Sequence, residues 1–192
     1  MRVGGEECGY RVAKSLLCKH SSHFRHYFQH NMDKEDDSLV LPENPGVITN
    51  QSVQLLVQWM YFGTIELDEV SNSEAITAIV EFANLAEHYG IGGLEVLLAN
   101  KVRSLLKPNP DECPATNGDA EVNTRFLTSE HIKAASHLAV GHPLRVLFAE
   151  AAVRGFIQIE NHKFRRETEE IPSFANDLLK VLSKMVIQSG RV

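Results

Sequence analysis

Apolar residues recur along this chain with helical spacing over most of its length and alternate in only a few short stretches. Val53, Leu56, Val57 and Met60 follow a 3.6-residue period between Asn50, a good cap, and Gly63, a good terminator, which predicts a helix from Gln51 to Phe62. Ser71 and Glu74 form an S-x-x-E capping box ahead of Ile76, Ile79, Val80, Ala83 and Ala86, and Gly90 ends that pattern. Leu94, Leu97, Leu98, Val102 and Leu105 make the next stripe, stopped by Pro108 and Pro110. Nearer the start, Lys14 to Lys19 reads as a short helix, and Ser21 or Ser22 caps another that carries Phe24, Tyr27 and Phe28 on one face. The extended candidates are short. Arg2-Val3 and Gly9 to Ala13 read as a hairpin turning at Gly4 and Gly5, Ser38 to Leu41 as a strand stopped by Pro42 and Pro45, and Thr64 to Leu67 as a half-buried strand.

The pattern then breaks. From Lys107 to Asn123 the chain is rich in Pro, Asn, Asp, Gly and Thr, and apolar periodicity is almost lost. Helical spacing resumes at Ser129 to Val140, Pro143 to Ile159 and Ser173 to Gln188, with Pro143 at a first-turn position that tolerates proline. The expected organisation is a folded domain over residues 2–107, a linker over 108–128 and a helical C-terminal region over 129–192, of α+β class with few strands. No internal repeat or long low-complexity segment is visible.

Composition changes this picture little. With 192 residues, 43% of them hydrophobic, the chain can bury a core without metal or disulfide help. Its formal charge of -6 and lack of any long basic run argue against a nucleic-acid surface. The one compact basic group, Lys163, Arg165 and Arg166, is followed by Glu167, Glu169 and Glu170 and reads as a solvated linker. Cys8, Cys18 and Cys113 are unpatterned, which suits reduced thiols in the cytoplasm or nucleus. No segment reaches the ~20 apolar residues that a bilayer span requires, and no leader pattern opens the chain.

Candidate chemistry is sparse. His20, His23, His26 and His30 include i+3 and i+4 pairs on one predicted helix, so metal binding is an alternative reading, although no Cys-x-x-Cys or His-Glu-x-x-His accompanies them. Gly90, Gly92 and Gly93 begin like a dinucleotide loop, but Glu95 stands at the last glycine position and a helix precedes them, as in a helix–turn–helix corner. Asp33, Glu35, Asp36 and Asp37 crowd one loop without the spacing of a calcium site. Phosphate-cradle and hydrolase-elbow motifs are missing. These readings predict no enzyme, no cofactor and no small-molecule substrate. Among Trp59, Tyr61, Phe62 and Tyr89, the pair expected to be exposed and to contact a partner is Phe62 and Tyr89.

Several stretches together resemble one family. Val3 to Glu7 followed by Tyr10-Arg11-Val12, Lys14 to Leu17, Ser21 to Arg25 and Phe28 is similar to the opening of a BTB/POZ domain. Val57 to Tyr61 with Gly63 and Ile65 resembles that family's helix-to-strand corner, and Glu81 to Ala86 with His88, Tyr89 and Leu94 its later helix pair. The likeness covers residues 2–107 and is strongest to fungal members, as is that of Glu130 to Ile132, His142 to Arg145 and Phe148 to Ala151 beyond it. It implies a BTB/POZ fold of short strands with a cluster of helices, acting as a protein-interaction module that binds itself or another protein. It also allows a substrate-adaptor role on a cullin scaffold in a ubiquitin ligase. In members that bind a cullin, a hydrophobic residue is often followed two positions later by glutamate; here Met32 fills the first place and Lys34 the second, reversing the sign, which weakens the adaptor reading. Two further departures are Ala13 at a common histidine position and the shortness of the stretch ahead of Val3, where family members usually carry residues that supply the rest of the first strand and, in many, a helix exchanged within a homodimer.

Overall fold

The computed structural model describes residues 1–4, 9–30, 39–67, 70–107 and 121–189. They form two units: Met1–Ser71 with Thr77–Leu94, and Asn72–Ile76 with Glu95–Val192.

In the first unit, strand β1 (Arg2–Val3) pairs in parallel with β2 (Val40–Leu41), Val3 lying opposite Leu41. Met1 and Tyr10 exchange two backbone hydrogen bonds, of 2.6 and 2.8 Å. That pairing supports the expected hairpin in part; among the described residues Gly9 to Ala13 is not strand, and the ladder partner of β1 is β2. Val3 and Leu41 are both buried, whereas Gly9, Arg11 and Ala13 are exposed and Tyr10 and Val12 half-buried. Residues 5–8, where the hairpin turn was placed, lie outside the described residues.

Four helices complete this unit: α1 (Lys14–His20), α2 (Ser22–His30), α3 (Asn50–Phe62) and the greater part of α4 (Asn72–His88). The cap of α3 is Thr49, one residue before the expected Asn50. Thr49 Oγ1 accepts from Ser52 N at 3.1 Å and Ser52 Oγ from Thr49 N at 3.0 Å, a reciprocal capping box. The same Thr49 hydroxyl donates to Glu81 Oε2 at 2.8 Å, tying the start of α3 to α4. The core is built from Phe24, Val53, Leu56, Ile79, Phe82 and Leu85, each almost fully buried.

Thr64 to Leu67, expected as a strand, is irregular. Ile65 is buried as the alternation requires, but Glu66 N donates to the Gln58 side chain at 3.0 Å, not to a neighbouring strand. Alternation specifies which side chains turn inward; a strand also needs a second backbone to pair with.

The second unit contains the first turn of α4, then α5 (Glu95–Leu106), a 3-10 turn at Val122–Thr124, α6 (Ser129–Ala135), α7 (Pro143–Gln158), α8 (Arg165–Glu170) and α9 (Pro172–Ser189). Its centre is α7, which packs against α5, α6 and α9 and buries Leu144, Leu147, Phe148, Ala149 and Val153. Pro143 occupies its first turn behind the cap His142. Residues 108–120 of the expected linker lie outside the described residues. Helix α8 corrects the reading of the basic-acidic run as a solvated linker. Arg165 and Arg166 pair with Glu169 and Glu170 one turn on, at 3.1 and 2.7 Å, while Glu167 is buried between them in sequence. The i,i+4 spacing that looked like linker charge is the outer face of a helix.

Candidate interaction surface

Helix α3 is amphipathic until its last turn, where the pattern inverts. Val53, Leu55, Leu56 and Met60 are buried, but Tyr61 is 49% and Phe62 76% exposed. Gly63 fixes this end. Its φ of 70° is the left-handed conformation that glycine adopts without strain, and its N–H donates to Trp59 O at 2.8 Å. Tyr61 is held from the other side, its hydroxyl accepting from Ala13 N at 3.1 Å. Beside Phe62 lies a recess of about 330 Å³ lined with Gln58, Thr64 and Glu66. The result is a large apolar ring presented to water from a fixed helix end, next to polar groups that can accept and donate hydrogen bonds.

Tyr89 does not share this exposure; the expectation of an exposed pair is corrected. It follows α4 directly, is 4% exposed and stacks on Phe24 with ring centroids 4.7 Å apart and planes 19° from parallel. Its carbonyl accepts from Ser21 Oγ at 2.5 Å, and the edges of His23 and His88 meet its ring. Burial raises its phenol above the ordinary pKa. The reason is the corner at Gly90, whose φ of 61° folds the chain back so that Tyr89 closes over α2. Met32 and Lys34, the other two candidate contact residues, lie outside the described residues, as does the acidic loop beside them.

A family model for the BTB/POZ domain matches residues 3–104. The chain belongs to the BTB/POZ family. BTB/POZ domains are protein–protein interaction modules and not enzymes, and the exposed corner at Phe62 lies inside the matched residues. No curated protein and no solved structure matches the chain.

The other constellations within the BTB/POZ region resolve into packing. The four histidines do not converge: His20 meets Trp59 edge-on at 4.9 Å, His23 meets Tyr89, and only His26 and His30 approach each other, at 4.0 Å between ring centres. Among the described residues no three His, Cys, Asp or Glu side chains are grouped to hold a metal ion. Gly90 to Leu94 forms the turn between α4 and α5, with Ile91 N bonded to Ala86 O. Nor is any helix among the described residues long and apolar enough to cross a membrane.

In the part of the second unit that follows the BTB/POZ match, a pair of charged side chains unforeseen from the sequence is buried. Arg145 and Asp177 form an ion pair with each side chain only 5–6% exposed, Nε and Nη2 both reaching Oδ2, at 2.8 and 2.7 Å. Lys163, read as part of a solvated patch, donates its ammonium to Thr124 O at 2.7 Å and its backbone N–H to Glu121, and burial lowers its pKa. A sequence signal for Arg145 and Asp177 did exist: each is a charge interrupting an apolar stripe, between Leu144 and Leu147 in one helix and between Phe174 and Leu178 in the other.

Proposed function

We propose that this BTB/POZ chain works by binding another protein through the end of α3, with Phe62 as the central contact and Tyr61, Gln58, Thr64 and Glu66 around it. The observation that carries this reading is the 76% exposure of a phenylalanine whose backbone is fixed by a glycine cap. A rigid exposed aromatic contributes burial on association without a large ordering cost, which is why such side chains concentrate binding energy. Met32 and Lys34 are further contact candidates by family resemblance. The partner is either a second copy of the chain or a heterologous protein; a cullin scaffold, and with it a ubiquitin-ligase adaptor role, is the narrower alternative.

Size-exclusion chromatography with light scattering over a concentration series, on wild type and Phe62→Asp, tests the surface. The variant should weaken association at least about tenfold, the scale of one lost hot-spot contact. Equal association of the two proteins would remove Phe62 from the interface. A wild type that is monomeric at every concentration moves the search to heterologous partners, and titration with a cullin N-terminal domain then decides the adaptor alternative.

A further inference from the structure

The helical unit carries a histidine in a position that only its neutral form can hold. His131 is the third residue of α6 and closes the capping box at its start: Thr128 Oγ1 accepts from His131 N at 3.3 Å, and His131 Nδ1 accepts from Thr128 N at 3.1 Å. An imidazole accepts at Nδ1 only when that nitrogen bears no proton. The ring is 2% exposed and also makes a backbone hydrogen bond to Ser73 in the first turn of α4, so it joins two elements of the same unit.

We propose that His131 is a proton-operated latch of the helical unit: neutral, it caps α6; protonated, it loses the bond to Thr128 N and opens the first turn of that helix.

The influences on the ring oppose one another, and burial outweighs the rest. Burial is the largest influence and disfavours the imidazolium; the hydrogen bond to the Ser73 backbone opposes it, Lys163 ahead of α8 adds a like charge, and Glu130 on α6 itself gives a smaller opposing effect. On α7 the cation Arg145 is already paired with Asp177 of α9, and α8 contributes the buried Glu167. The net effect lowers the pKa of His131 below its ordinary 6.5. A positive charge would also sit at the N-terminus of α6, the unfavourable end of the helix dipole. Because the folded pKa is below the unfolded one, the stabilisation is full above the unfolded value and is lost as pH falls through the folded value. The window is therefore mildly acidic, below pH 6.5.

His142 caps α7 in a similar way, its Nδ1 accepting from Leu144 N at 3.2 Å, so the test is the difference that His131 makes. Hydrogen exchange of the full chain at pH 7.5 and 5.0, corrected for intrinsic rates, reads the protection of residues 128–136 in wild type and in His131→Asn. Asparagine keeps an acceptor near Nδ1 but does not titrate. Protection of α6 should fall more in wild type than in the variant, by about tenfold for each pK unit that separates the folded from the unfolded ring. An equal fall in both proteins overturns the latch. Should the variant fail to fold, ring titration of His131 by NMR in wild type decides: a midpoint below 6.5 supports the proposal, and one at or above 6.5 overturns it.

Discussion

Replacing Asp177 by alanine removes the carboxylate paired with the buried guanidinium of Arg145 in α7. Arg145 would keep two neutral acceptors, Leu138 O for Nη1 at 2.9 Å and Ser173 O for Nη2 at 3.3 Å, but its charge would stand uncompensated with the side chain 5% exposed. Breaking one half of such a pair typically costs about 3–5 kcal/mol, most of it the penalty for the orphaned charge. Asp177→Asn keeps a carbonyl acceptor of the same size and should cost less, about 1.5–3 kcal/mol, the scale of a charged hydrogen bond. The double variant Arg145→Met, Asp177→Leu removes both charges and should lose less than Asp177→Ala alone. Urea unfolding followed by circular dichroism at 222 nm measures all three. The single tryptophan, Trp59, lies in the first unit, so its fluorescence separates loss of the helical unit from loss of the other. The reasoning fails if Asp177→Ala costs under about 1 kcal/mol, or if the double variant is the least stable of the set.

Two further substitutions probe the frame that presents Phe62 and buries Tyr89. Phe24→Ala empties the site under Tyr89, where the phenylalanine is 1% exposed, and should cost about 3–5 kcal/mol in a transition seen by Trp59 fluorescence; a cost near zero would mean the stacked pair is not core. Gly63→Ala meets no atom within 4 Å of the added Cβ, so its cost is conformational, about 1–2 kcal/mol from the φ of 70°; an unchanged urea midpoint would refute the left-handed cap.

The elements with strong local signals formed as read. The stripe at Ile76, Ile79, Val80 and Ala83 became α4, starting one residue after Ser71, and Gly63 ends α3 in the expected conformation. The long tail helices α7 and α9 follow their apolar periods in the same way. Helical hydrogen bonds close within a few residues, so the information that fixes them is local. The BTB/POZ likeness was legible for the same reason, because the matching positions are mainly core apolars and turn glycines of those elements.

Interactions between distant residues were decided elsewhere. Gly9 to Ala13 and Thr64 to Leu67 satisfied strand patterning yet are not strand, because a ladder depends on a second segment that no local window contains. Tyr89 and Phe62 are both aromatic residues beside a glycine, and sequence alone treated them alike. The corner at Gly90 folds one onto Phe24, while the cap at Gly63 leaves the other in water. Arg145 and Asp177 stand 32 residues apart, and His131 reaches back to Ser73. The sequence by itself determined most of the helices, though not α8, and which of their faces would be apolar. Only the tertiary structure decided which charges and rings would lose their water, because desolvation depends on everything packed around a group and not on its neighbours in the chain.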